Sequence, residues 1–126
     1  MIGWFRWHQA PRGVRGEALA AKALRRAGYK ILARNARIGR YEIDIIAQEG
    51  DTIAFVEVKT RRDDSIADPD ANVTHTKRQH IRRAARRYIA ARNDPTLYYR
   101  FDVVAVLLPE EGKPKVTIYR DAFPDE

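Results

Sequence analysis

The chain has 126 residues, 44% of them hydrophobic, and sets 24 Lys and Arg against 17 Asp and Glu for a net charge of +7. That length suits one domain with its own core, and the apolar content excludes a disordered chain. With no cysteine, disulfides and thiolate metal sites are excluded and a reducing, cytoplasmic setting fits, while no apolar run approaches the ~20 residues of a membrane span.

Residues 1 to 12, with Trp4, Phe5 and Trp7, read as an aromatic and basic tail lacking the long apolar region of a signal peptide. Residues 14 to 27 predict a helix rich in Ala and Leu, stopped by Gly28. Its apolar stripe is Ala20, Ala21, Leu24 and Ala27, and Glu17 continues that stripe. An acid there is either a site residue or a first-turn carboxylate favoured by the helix dipole. Residues 29 to 35, 41 to 48 and 52 to 60 predict three strands, the last two joined at Glu49-Gly50-Asp51 into an antiparallel hairpin. Residues 61 to 73, polar and acidic around Pro69, read as a loop. Thr74 or Thr76 caps a helix running to about residue 92, whose stripe is Ile81, Ala84, Ala85, Tyr88 and Ile89. Residues 98 to 108 predict a central strand and 115 to 119 a short edge strand. Helix, three strands, helix, two strands predicts an α/β fold with a mixed central sheet flanked by helices. The domain spans residues 13 to 120 and leaves 121 to 126 as a C-terminal tail.

The chemistry-bearing residues lie on the predicted hairpin. A strand alternates its faces, so Glu57 and Lys59 emerge on one face beyond Ile53 and Phe55, and Asp44 lies toward the same end of the neighbouring strand. Two carboxylates and an ammonium are what metal-assisted phosphodiester hydrolysis needs. Mg2+ or Mn2+ takes oxygen ligands, which Asp44, Glu57 and the Val58 carbonyl could supply. Lys59 could orient the attacking water, Glu17 could complete the site, and Glu42 is a lesser candidate. The plain alternative is a Glu57–Lys59 surface ion pair worth under ~1 kcal/mol.

The second helix carries Lys77, Arg78, Arg82, Arg83, Arg86, Arg87 and Arg92, with no acid from residue 75 to 93. Such a face can track a phosphate backbone, or it is simply solvated. Lys77 and Gln79 could face the metal site, and Arg61 and Arg62 could hold the scissile strand. His75 and His80 miss the spacing of a helical metal pair, and no glycine-rich phosphate loop is present.

Gly16-Glu17, Gly28-Tyr29, Asn35-x-Arg37, Glu42-Ile43-Asp44-Ile45-Ile46-Ala47, Phe55-Val56-Glu57-Val58-Lys59-x-Arg61, Thr74 to Lys77, Ala84-Ala85-Arg86 and Arg100-Phe101-Asp102-Val103-Val104 resemble the YraN-like family of small bacterial endonuclease-like proteins. That family is similar to Holliday-junction resolvases of the PD-(D/E)xK nuclease superfamily. The resemblance implies a restriction-endonuclease-like αβββαβ core and a magnesium-dependent DNA endonuclease in repair or recombination. It places Asp44, Glu57 and Lys59 at the metal and catalytic positions and Glu17 at the helix-one acid. It also implies a homodimer. Tyr41 departs from the glycine usual in the family, and residues 63 to 72 lack its Phe-Gly-type segment. The competing readings are a nucleic-acid-binding module of the same fold and an interaction protein recruited through the aromatic tail.

Overall fold

The computed structural model describes residues 12–62 and 73–125. The elements in chain order are α1 (Arg12–Arg26), β1 (Lys30–Ile38), β2 (Tyr41–Glu49), β3 (Thr52–Arg61), α2 (His75–Arg92), β4 (Tyr98–Leu107) and β5 (Lys115–Phe123). The expectations for residues 1 to 11 and for the loop at 63 to 72 lie outside the described residues. The strands form one sheet in the order β1-β2-β3-β4-β5. The pairs β1–β2, β2–β3 and β4–β5 are antiparallel and β3–β4 is parallel. The mixed α/β fold expected from the element order is therefore the fold observed. Helix α2 is the crossover that lets β3 and β4 run parallel.

Alternation along the strands divides the core into two layers. Ala20, Ala21 and Leu24 of α1 pack on Ile45, Ala47, Ala54, Val56, Val104 and Val106. On the opposite face Ile81, Ala84 and Ala85 of α2 pack on Ile43, Ile46, Ile53, Phe55, Phe101 and Val103. Both helical stripes are the ones the sequence period marks. Helix α2 starts where Thr74 accepts the Lys77 amide at 3.1 Å, and it stops at Asn93, which adopts the left-handed conformation at φ 49°.

The domain does not end at residue 120. Strand β5 continues to Phe123, whose ring is 2% exposed and stacks on Phe101 at 5.0 Å between centroids. Asp121, at φ 54°, and a register shift opposite Phe101 and Val103 interrupt the alternation, so the strand's last third is unreadable from its pattern. Arg82 fixes this end. Its Nε and Nη2 both donate to the Pro124 carbonyl, at 3.0 and 2.7 Å, and Nη1 donates to Gln79 at 3.0 Å. The expected tail from 121 onward is corrected accordingly, at least as far as Asp125.

A polar network closes the sheet at the end where β2 turns into β3. Asp102, fully buried, accepts from the Tyr29 hydroxyl at 2.8 Å, from Arg100 Nε at 2.9 Å and from the Asp121 amide at 2.9 Å. Arg100 and Arg120 both reach Glu49, and the hydrogen bonds from Arg120 hold its carboxyl down at about 2. A buried carboxylate with this many donors is satisfied, so we assign it a structural role.

Arg82→Ala removes the donors to Pro124 from a buried position and leaves a void beside Phe123. The expected cost is roughly 2–4 kcal/mol in urea unfolding. Arg83→Ala, on the exposed side of the same helix, is expected to cost less than about 0.5 kcal/mol.

Candidate functional site

The site arises where two paired strands part. The β2–β3 ladder runs from Glu49–Thr52 to Ile45–Val56 and stops. Beyond that rung β2 pairs with β1, through Ile43, Glu42 and Tyr41, while β3 continues beside β4 to Arg61. Asp44 and Glu57 are the first residues past the last rung, one on each arm of the fork. Parting the strands leaves backbone donors without ladder partners. One of them, the Val58 amide, donates to Asp44 Oδ2 at 2.8 Å.

Strand β1 changes phase at the same level. Ile43 and Ile45 are two apart, yet Ile43 packs with α2 and Ile45 with α1. Their partners on β1 are Ala36 and Arg34, and between them Asn35 stands at φ 52°. Asn tolerates this left-handed conformation better than most residues, because its short polar side chain can bond locally. The Asn35 side chain bonds Glu17, so the residue that turns the strand also holds the helix-one acid.

Glu17 arrives on α1 through a close approach. A Cβ on Gly16 would lie 2.0 Å from Thr60 Oγ1 and 3.2 Å from Thr60 Cβ, so only glycine lets the helix meet β3 here. Thus α1 contributes Glu17 from one face of the sheet. From the other face α2 contributes Lys77, whose Nζ is 3.9 Å from Glu57 Oε1.

The electrostatics follow from burial. Glu57 is 7% exposed. Desolvation first and the Asp44 charge second push its carboxyl up to about 8, with Lys77 and Lys59 opposing the rise. The Asp44 and Glu57 carboxyls are hydrogen-bonded to each other, which requires a proton between them. Glu17 is also pushed above the ordinary carboxylate range, by desolvation and then by Asp44. Among the described residues, no three acidic or histidine side chains are grouped closely enough to hold one ion. The arrangement is a carboxyl pair with a third acid at its edge.

The structure thus brings Asp44, Glu57, Val58, Lys59 and Lys77 into one fork, and sets Glu17 and Glu42 within electrostatic reach. The cationic residues marked in the sequence divide. Arg82 is 2% exposed and is taken up by Pro124, Gln79 and the Phe123 ring, so it and its partner Gln79 are withdrawn from a phosphate-facing surface. Arg78 donates to the Val73 carbonyl at 3.0 Å and covers Phe123, so it packs the helix start. Arg86 lies 3.7 Å from Asp125, and Arg62 lies 3.6 Å from Glu110. Arg83 stays exposed and donates to the Tyr41 hydroxyl at 3.3 Å. Arg61, half-buried, ends β3. Two residues of the site, Gly16 and Asn35, carry no chemistry visible in sequence. An Asn inside a strand was the available signal for a bulge.

Fold and site together define a small α/β protein with an acidic fork in a five-stranded mixed sheet. The model of the family described as "Uncharacterised protein family UPF0102" matches residues 16–106. The chain belongs to that family, the YraN-like one. A UPF0102 protein of Nocardia farcinica is 46% identical over 111 residues, covering 88% of this chain and 87% of the relative. One from Chlorobaculum tepidum is 48% identical over 95 residues, covering 75% and 74%. Among solved structures, that of Pyrococcus furiosus SfsA in complex with Ca2+ superposes with a TM-score of 0.44 at 15% identity, over 86% of this chain and 62% of that one.

Two outcomes are expected. Because the folded protein holds a proton on Glu57 that the unfolded chain releases near 4.5, stability should fall as pH rises from about 4.5 through about 8. Urea unfolding across that range should show the slope, and Glu57→Gln should flatten it. Gly16→Ala should cost about 1–3 kcal/mol by forcing α1 off Thr60, whereas Gly13→Ala, in open space, should be neutral or stabilising.

Proposed function

We propose that this protein is a divalent-metal-dependent nuclease of the PD-(D/E)xK type, with a restriction-endonuclease-like core, that hydrolyses phosphodiester bonds in DNA. The observation that carries the reading is the fork. Two carboxyl groups meet just past the last β2–β3 rung, one of them shielded from water, with Lys59 and Lys77 acting on it. Two acids so close share a proton at neutral pH, because like charges there cannot both be tolerated. A divalent cation would replace that proton and favour both anions. Oxygen donors suit Mg2+ or Mn2+, and Mg2+ uses one or two carboxylates and keeps several waters, so a carboxyl pair fits it.

Asp44, Glu57 and the Val58 carbonyl would hold the ion. When bound, it supplies charge neutralisation at the phosphate and a more acidic water. The chain's own groups do the rest. Asp44 is fixed by the Val58 amide, which limits its rotamers and presets the pair. Lys59 offers a compact ammonium donor to the attacking water or to a phosphate oxygen, where charge grows in the transition state. Lys77 offsets the Glu57 charge from the α2 side. Glu17, already disposed to hold a proton, can take one from the water or return it at the edge of the fork. A second reading, a nucleic-acid-binding module that does not cut, is favoured by the lack of a three-acid group among the described residues.

With Mg2+ or Mn2+, wild type is expected to cut at least one of labelled duplex, single-stranded, flap or four-way-junction DNA. Asp44→Ala and Glu57→Gln should lose roughly a hundredfold or more of that rate and retain binding. Mg2+ should also raise the unfolding temperature of wild type and not of Asp44→Asn. Salt-sensitive binding without cleavage of any substrate would overturn catalysis and leave the second reading.

A further inference from the structure

A pocket of about 480 Å³ opens beside the fork, lined by Arg40, Tyr41, Glu42, Lys77, His80 and Arg83. Its floor joins two elements. The β1–β2 turn, bent at Gly39 with φ 62°, presents Arg40 and Tyr41. Helix α2 presents Lys77, His80 and Arg83 at every third position, so they line one side of the helix. The rings of Tyr41 and His80 stack at 4.7 Å between centroids and 29° between planes. The Arg40 guanidinium stands 5.6 Å from the Tyr41 ring centre, and Arg83 donates to the Tyr41 hydroxyl at 3.3 Å. Among the described residues neither Arg40 nor Arg83 is ion-paired, and Glu42, itself exposed, is the one acid in the lining.

We infer that this pocket is a phosphate subsite, holding a phosphate of the nucleic-acid strand next to the one placed at the fork; the inference rests on the nuclease reading for what lies at the fork. Two guanidinium forks and an ammonium face one small volume, with a single phenol oxygen as their shared acceptor. Guanidinium forks match the oxygens of a phosphate in pairs, and a phenol supplies one more donor. Cations gathered this way repel one another until an anion sits among them. The local field shows in Tyr41, whose hydroxyl is made more acidic by the bonds from Arg83 and Arg40. Lys77 belongs to both places, since it lines the pocket and reaches Glu57. A phosphate bound here therefore fixes the position of the next one along the strand. The stacked Tyr41–His80 pair forms the wall that stops the strand from sliding. Arg40, Tyr41 and His80 stand outside the cationic set that the sequence singles out. Their shared chemistry is a phosphate, either an internal diester of the strand or its terminal monoester.

The test measures binding of the full chain to fluorescein-labelled 20-nucleotide DNA, with either a 5′-phosphate or a 5′-hydroxyl, in chelator at several salt concentrations. Wild type is compared with the double variant Arg40→Gln/Arg83→Gln, with Tyr41→Phe, and with Arg25→Gln, an exposed arginine on α1. The double variant is expected to bind roughly tenfold or more weakly and to lower the slope of log K against log salt by about two. Tyr41→Phe should weaken binding by a smaller factor, and Arg25→Gln should leave both quantities near wild type. A loss on both DNAs identifies an internal diester, and a loss confined to the 5′-phosphorylated DNA identifies a terminal monoester. A double variant with the affinity and slope of Arg25→Gln overturns the proposal. If the double variant is less stable than wild type, Arg40→Gln alone, in the exposed turn, carries the same comparison. The two readings fail separately. Binding that depends on the pocket, with no cutting of any DNA, leaves the subsite and removes the nuclease. Cutting with pocket-independent binding does the reverse.

Discussion

The hydrogen bond from the Val58 amide to Asp44 lets the sheet part without leaving backbone donors stranded. An interior strand normally gives all its amides and carbonyls to its neighbours, and a buried amide without a partner costs about 1–3 kcal/mol. By accepting the Val58 amide, Asp44 replaces a ladder acceptor at the level where β2 and β3 diverge. The same bond fixes the carboxyl that faces Glu57. Structural and chemical roles thus fall on one side chain. That overlap explains why an acid can persist on a strand flanked by Ile43 and Ile45.

Two small residues then decide what else reaches the fork. Gly16 brings α1 against Thr60, and Asn35 turns β1 through a left-handed position while bonding Glu17. Neither has titratable chemistry. Without the first, Glu17 would stand off by the thickness of a methyl group. Without the second, the β1–β2 ribbon would keep its phase and Ile43 would turn from the α2 layer toward α1. The polar network around Asp102 does the complementary work at the opposite end. It ties β2, β4 and β5 together where β2 enters its turn, so the sheet is held closed there and opens at the fork.

Much of this was legible in the sequence. The helical stripes of Ala20, Ala21 and Leu24 and of Ile81, Ala84 and Ala85, the Glu49-Gly50-Asp51 turn and the Thr74 cap each follow from local physics, and all are present. The meeting of Asp44 and Glu57 was legible too, because an antiparallel hairpin fixes its register from its turn. The misses have one cause. Asn35 and Asp121 both take positive φ, and each breaks a strand's alternation, which hid the last three residues of β1 and most of the extension of β5. A period-two pattern cannot be followed through a bulge. Arg82 failed for a different reason. Composition marks an arginine as cationic, but only the fold shows a carbonyl, Pro124, waiting at the end of its reach.

That division within α2 changes how its charge should be read. A helix with no acid over its length looks uniformly suited to phosphate. In the fold its cations face three ways: Arg78 and Arg82 toward Phe123, Arg86 toward Asp125, and Lys77 and Arg83 toward the fork and its neighbouring pocket. Arginine's long apolar stem and planar head allow all three, since the stem packs while the head finds a carbonyl, a ring or an anion. Net charge therefore sets the long-range attraction of the molecule for an anion. Where that anion would come to rest is set by the few cations whose protein partners do not already neutralise them, and these lie beside the carboxyl pair.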